Sequence, residues 1–276
     1  MKMKKLTYIL FAGFALTFCA QGLNATPKAP RKVAVQTYTF NKNTLEETLK
    51  VISPIGIDAV ELWTGQRIGG AYPDVKANQS MTPEQRAYVK KLLNEYGVKI
   101  ISMGVAGAND EAGITALCEF AKDMDIPLIV TEAPEELFPL WQKHCEKYGL
   151  KMCIHNHEKG SKNGYYDYNL VAKIIKPYTL IGACADNGGW SRSGLDCVTG
   201  IKALGGKIFE IHFKDQKTFN DPKSDAVIYG QGVVDLKGML AELDKQGFDG
   251  YFVIEHGNAG DKAEIVRKDL EFLKNN

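Results

Sequence analysis

The chain has 276 residues, of which 45% are hydrophobic and 24% charged, with a formal net charge of +1. That length and composition suit one well-cored globular domain and exclude a disordered, collagen-like or disulfide-scaffold chain. A near-neutral chain without a long basic run also lacks the electrostatic footprint of a nucleic-acid binder.

The N-terminus reads as a targeting segment. Lys2, Lys4 and Lys5 form a basic n-region, and residues 6–18 form an apolar h-region too short for a comfortable membrane span. Ala20, Gly22 and Ala25 follow as possible cleavage neighbours. The expected organisation is a signal peptide at 1–25 and a single domain at 26–276, exported to the periplasm and free of the membrane after cleavage. Leu16-Thr17-Phe18-Cys19 partly matches a lipobox, but the bulky Phe18 fits it poorly, so lipidation is the lesser alternative. Cleavage removes three lysines and no acid, which leaves the mature chain slightly acidic. The remaining cysteines are Cys118, Cys145, Cys153, Cys184 and Cys197, an odd number without framework spacing. Cys153 and Cys184 fall inside apolar runs, where cysteine serves as a small core filler.

Eight short, nearly continuous apolar runs follow, at 33–40, 59–63, 99–105, 128–132, 151–155, 181–186, 208–213 and 251–255. Such runs suit parallel strands buried on both faces. Helical stretches separate them. Asn43 with Glu46 reads as a capping box, and Asp261 with Glu264 repeats it. Thr82-Pro83-Glu84-Gln85 adds a proline in the first turn. Gly56, Gly97, Gly149 and Gly247 close helices just before strands. This alternation predicts a single (β/α)8 TIM barrel. An open doubly wound sheet is disfavoured, because no Gly-rich phosphate fingerprint follows the first run.

The runs turn polar at their C-terminal ends, where barrel active sites lie. Gln36, Glu61, Glu132, His155, His157, Asp186, His212, Lys214 and Glu255 all sit there. Strand alternation puts Cys153, His155 and His157 on one face, Cys184 with Asp186 on another, and Glu210, His212 and Lys214 on a third. Acids and imidazoles converging on one mouth are costly unless a cation joins them. A divalent metal is therefore expected, with Mn, Zn, Co, Fe and Mg all compatible. His256 points the other way and reads as structural; His144 reads as a helix-surface residue.

At these residues the chain resembles the sugar isomerase/epimerase superfamily of xylose-isomerase-like barrels. The matching pieces are Val60-Glu61-Leu62-Trp63, Val130-Thr131-Glu132-Ala133-Pro134, Ile154-His155-Asn156-His157, Ala185-Asp186-Asn187-Gly188 with Trp190, Ile211-His212-Phe213-Lys214-Asp215, Gly230-Gln231-Gly232 and Ile254-Glu255. The resemblance implies one divalent metal held by Asp186, His212 and Glu255. Relatives take a fourth ligand from a fifth-strand Glu in a Glu-Asn-His motif. His155 stands there, so Glu132 is preferred as the fourth ligand and His155 is the alternative. Relatives also read Asp-Thr-Gly-His on the sixth strand, where Gly189 replaces the substrate-contacting imidazole.

The implied chemistry is isomerisation or epimerisation of a small carbohydrate, by proton abstraction next to a carbonyl through an enediolate. Glu132 and Glu255 are the candidate bases, with His157 and Lys214 as donors to sugar oxygens. Glu61, Trp63, His155, Trp190 and Arg192 are the expected substrate contacts. The alternatives are a lyase or hydratase acting on 3-keto sugars or glycosides through the same metal site, and a non-catalytic sugar-binding barrel. A homo-oligomer is left open.

Overall fold

Each apolar run folds as a parallel strand: β1 (Val33–Gln36), β2 (Ala59–Leu62), β3 (Lys99–Met103), β4 (Leu128–Thr131), β5 (Lys151–His155), β6 (Ile181–Asp186), β7 (Ile208–Phe213) and β8 (Tyr251–Ile254). They close as a barrel in which β1 pairs with β2 and β8 and every other strand pairs with its sequence neighbours. This computed structural model describes residues 30–161, 164–257 and 260–276; the expected signal segment at 1–25 lies outside them. Arg31–Asn276 cluster as one unit. Among the described residues no helix is long and apolar enough to cross a membrane.

Among the described residues, nine helices connect or follow the strands: α1 (Leu45–Ile52), α2 (Pro83–Tyr96), α3 (Glu111–Asp123), α4 (Phe138–Tyr148), α5 (Tyr168–Ile175), α6 (Asn187–Arg192), α7 (Cys197–Leu204), α8 (Leu236–Lys245) and α9 (Lys262–Asn275). Thr82 and Gln85 form the expected capping box of α2. The first box is one residue later than read from sequence: Thr44 and Glu47 exchange the two bonds, at 3.3 and 2.7 Å. Asn43 is instead occupied in the preceding turn, its N–H donating to the Phe40 carbonyl at 2.8 Å. That turn also shortens β1. The Gln36 side chain accepts from the Tyr38 N–H, and Thr37–Phe40 winds as a 3-10 turn instead of extending the strand.

The main core lies between strands and helices, where Leu49, Phe120, Phe138, Trp141 and Ile201 are buried. Inside the barrel, Ala34, Ala59, Ile101 and Val253 pack together at one level, and Leu128, Val130, Cys153 and Cys184 make a second apolar group. Burial pushes the Cys153 thiol up to about 12, so it packs as the small neutral filler expected. His144 departs from the reading as a surface residue. It is 4% exposed, with its ring nitrogens 3.1 Å from the Thr115 hydroxyl and 3.0 Å from the Leu140 carbonyl oxygen. Its four-residue offset from Leu140 turns it onto the packed stripe of α4.

Candidate metal centre

Register brings the polar strand ends to one rim, since Asp186 of β6 lies opposite His212 of β7, and His155 of β5 opposite Cys184. His155, Asp186, His212 and Glu255 each offer a donor atom there, and all four atoms lie within 4.8 Å of one another. His212 uses Nε2 to contact Glu61 Oε2 at 2.5 Å, which leaves Nδ1 facing Glu255 Oε2 at 2.9 Å. His155 repeats the pattern. Its Nδ1 lies 3.3 Å from Glu132 Oε1, and its Nε2 faces Asp186 Oδ2 at 3.5 Å. His155 Nε2 and His212 Nδ1 are buried and make no well-aligned hydrogen bond, each facing a carboxylate oxygen at ion-pair distance. A ring nitrogen turned inward while a carboxylate holds the other is the usual arrangement of a metal-ligating histidine. The donor set therefore fits a divalent cation, with mixed imidazole and carboxylate chemistry.

The local field favours positive charge. Burial opposes the charged form of both imidazoles, yet Asp186 and Glu132 raise His155, and contact with Cys184, the Glu61 charge and a Glu255 bond raise His212 well above the ordinary range. Burial likewise opposes ionisation of Asp186 and Glu255. The Lys214 charge and histidine hydrogen bonds outweigh it, so both carboxyls stay well below the usual range. Lys214 Nζ lies 2.7 Å from Asp186 Oδ2 and 2.9 Å from Glu255 Oε2.

Two asparagines that sequence reasoning passed over hold this rim in place. Asn156 pairs with both the N–H and the C=O of Asp186, at 3.0 and 2.9 Å. Asn187 does the same for Lys214, at 2.8 and 2.6 Å. Each amide directly follows or precedes a polar strand end, which is the only signal the sequence offers. Glu210 shares the β7 face of His212 and Lys214, as alternation predicts, and the sequence suggests no role for it. It lies below the rim, and burial followed by the Glu61 charge pushes its carboxyl up to about 8.

An open cleft of about 230 Å³ lies above the donors, lined by Tyr38, Trp63, Val105, His157 and Glu255 together with the two ligand-type histidines. Trp63, His157 and Glu255, all expected at the site, line this cleft. Others take different places. Glu132, preferred as a metal ligand, falls outside the four-donor set and in a separate group with His155 and His157. Its carboxylate contacts His157 Nε2 at 2.6 Å and backs His155. Glu61, expected to touch substrate, is fully buried behind His212. Trp190 is 1% exposed, edge-on to Tyr168 in the core, because α6 turns it away from the cleft. Arg192 is tied to Glu158 at 3.0 Å. Lys214, expected to donate to sugar oxygens, is instead held by the two carboxylates. Position 189 has no room for the missing imidazole, since a Cβ there would lie 2.9 Å from the Asn156 amide nitrogen and 3.0 Å from the His157 carbonyl carbon.

The Glu132 pairing has a pH signature. Burial raises this carboxyl, but hydrogen bonds from His155 and His157 outweigh it and bring it from 4.5 down to about 2. A lowered carboxyl contributes stability that is complete above its unfolded pKa and lost as pH falls toward the folded one. Wild type should therefore lose stability faster than Glu132→Gln between about pH 5 and about pH 3. Urea midpoints across that window measure it, and parallel curves for the two proteins would contradict the pairing.

Comparison with known proteins places this geometry. No curated protein matches the chain. Among solved structures, an uncharacterised protein from Parabacteroides distasonis is 27% identical, with a TM-score of 0.73 over 89% of this chain and 98% of the other. A sugar phosphate isomerase/epimerase from the same organism is 15% identical, with a TM-score of 0.68 over 91% of this chain and 98% of its own. A structure described as the probable 3-DHS dehydratase involved in petrobactin synthesis from Bacillus anthracis is 14% identical, with a TM-score of 0.66 over 88% of this chain and 98% of its own. The last two likenesses speak for the fold alone. The family described as xylose isomerase-like TIM barrel matches residues 49–276, and with the closed eight-strand barrel around the rim just described, the chain belongs to that family.

Proposed function

We propose that the chain holds one divalent cation through His155, Asp186, His212 and Glu255 and isomerises or epimerises a small carbohydrate by removing a proton next to its carbonyl. The observation that carries this reading is the pair of buried imidazoles, each backed by one carboxylate and each turning its other ring nitrogen to a second carboxylate at the rim. When bound, a divalent ion supplies Lewis-acid polarisation that makes such a proton acidic. The protein's own groups do the rest. Glu255 borders the cleft with its carboxylate, which makes it the group placed to accept the proton. His157 lies on the cleft wall with Glu132 holding Nε2, and so serves as the proton donor or relay. Trp63 and Tyr38, edge-on at 5.1 Å, offer an apolar wall to a sugar face.

Asp186→Ala and His212→Ala should each lower bound metal to near zero, an affinity loss of about 100-fold or more, with the barrel's circular dichroism preserved. Full metal content in both variants would refute the ligand set. A second reading, elimination of a β-substituent from a keto sugar or glycoside, draws support from the His157–Glu132 pair, because a donor on the cleft wall suits protonation of a leaving oxygen. Incubation with keto-sugars in heavy water separates the readings: isomerisation exchanges the α-proton without a net mass loss, and elimination removes water or an alcohol. We also place the working protein outside the cytoplasm after loss of 1–25, on the basic, apolar, small-residue order of that segment.

A further inference from the structure

Lys214 does more than sit near the four donors. It stands two residues beyond His212, on the same face, with its backbone fixed on both sides by the Asn187 amide. The residue is 7% exposed, and its ammonium grips Asp186 Oδ2 and Glu255 Oε2. Those are the same two oxygens that face His155 Nε2 and His212 Nδ1. A divalent ion taking all four donors would approach each oxygen to about 2.0–2.2 Å. It would then share both oxygens with an ammonium at hydrogen-bond distance. Each oxygen has lone pairs for two partners, but like charges held that close in a buried site repel strongly. The charge of Arg192 adds to the pressure on the lysine.

We infer that Lys214 is a resident counter-cation that a divalent ion must displace, so that the cleft exchanges one cation for another when it loads. This rests on the proposed ligand set and adds a residue that works against it. Lys214 neutralises Asp186 and Glu255 before loading and lowers the affinity for the ion. Because Asn187 fixes only the backbone, displacement needs the flexible stem alone to move. The displaced amine is then available to the sugar oxygens above the rim. The opposite role, a supporting partner that orients ligating carboxylates, makes the opposite prediction.

The test is calorimetric titration of Mn²⁺ into chelator-stripped full-length protein, with wild type, Lys214→Met, Lys214→Gln, Lys214→Arg and Asp186→Ala compared. Lys214→Met keeps the stem and removes the charge, and Lys214→Gln does so with a polar tip in case the first folds poorly. Both should bind Mn²⁺ about tenfold or more tightly than wild type, and their melting temperatures should rise more on metal addition. Lys214→Arg, still a cation, should stay near wild type. Equal or weaker binding by both neutral variants overturns the displacement role while leaving the ligand set intact, provided that Asp186→Ala abolishes binding. No Mn²⁺ bound by any form overturns both readings.

Discussion

Glu255→Gln should lower turnover by about 10²–10⁴-fold, the range for removing a positioned general base. The side chain ends β8 at the cleft and lies 2.9 Å from both His212 Nδ1 and Lys214 Nζ. Glutamine keeps the shape and one carbonyl acceptor but cannot accept the proton. It also removes the negative charge opposite Lys214, so metal affinity falls as well. The two losses separate experimentally. At saturating metal the kcat deficit remains if Glu255 is the base, and solvent-deuterium exchange at the substrate's α-carbon falls in parallel. Recovery of turnover by added metal alone would reduce Glu255 to a ligand.

Asp215→Ala should destabilise the barrel by about 3–5 kcal/mol, because it strips four backbone donors of their acceptor at about 1–3 kcal/mol for each one left unsatisfied. Asp215 has no exposed surface, and its carboxylate accepts four backbone N–H groups: Gln216 at 2.9 Å, Gly230 at 2.9 Å, Gly232 at 2.8 Å and Val234 at 3.1 Å. These bonds fold residues 230–234 onto the strand end beside the rim. The Gly230-Gln231-Gly232 motif follows from this. Gly230 has φ +84°, and a Cβ on Gly232 would lie 2.3 Å from Asp215 Oδ1. Removing the carboxylate leaves four donors unpaired, and water repairs some of them. Asp215→Asn should fare little better, because its amide turns a donor toward other donors. A fall in the urea midpoint with faster amide exchange at Gly230 and Gly232 is expected; a loss under about 1 kcal/mol would show that the loop stands without it.

The barrel was readable because its strands are buried on both faces and therefore apolar throughout, while their C-terminal ends open to the cleft and turn polar. The misplaced boundaries are local hydrogen-bond competitions, such as Gln36 capping the 3-10 turn after β1 and Thr44 outcompeting Asn43 as a cap. At the rim, alternation gave the correct face for His155, Asp186 and His212. It gave no depth. Glu61 and Glu132 end strands just as ligands do, yet each stands behind an imidazole. Whether a carboxylate faces the centre or backs a histidine depends on side-chain reach across neighbouring strands, which spacing does not encode. Trp190 failed for a related reason: it lies on a helix, whose rotation the strand pattern does not set.

The most direct test is anomalous diffraction from crystals soaked in Mn²⁺. The account predicts a single peak about 2.0–2.3 Å from His155 Nε2, Asp186, His212 Nδ1 and Glu255, with Glu61 and Glu132 still behind the rings. A peak held instead by Glu132 and His157, or none at all at saturating Mn²⁺, would contradict it.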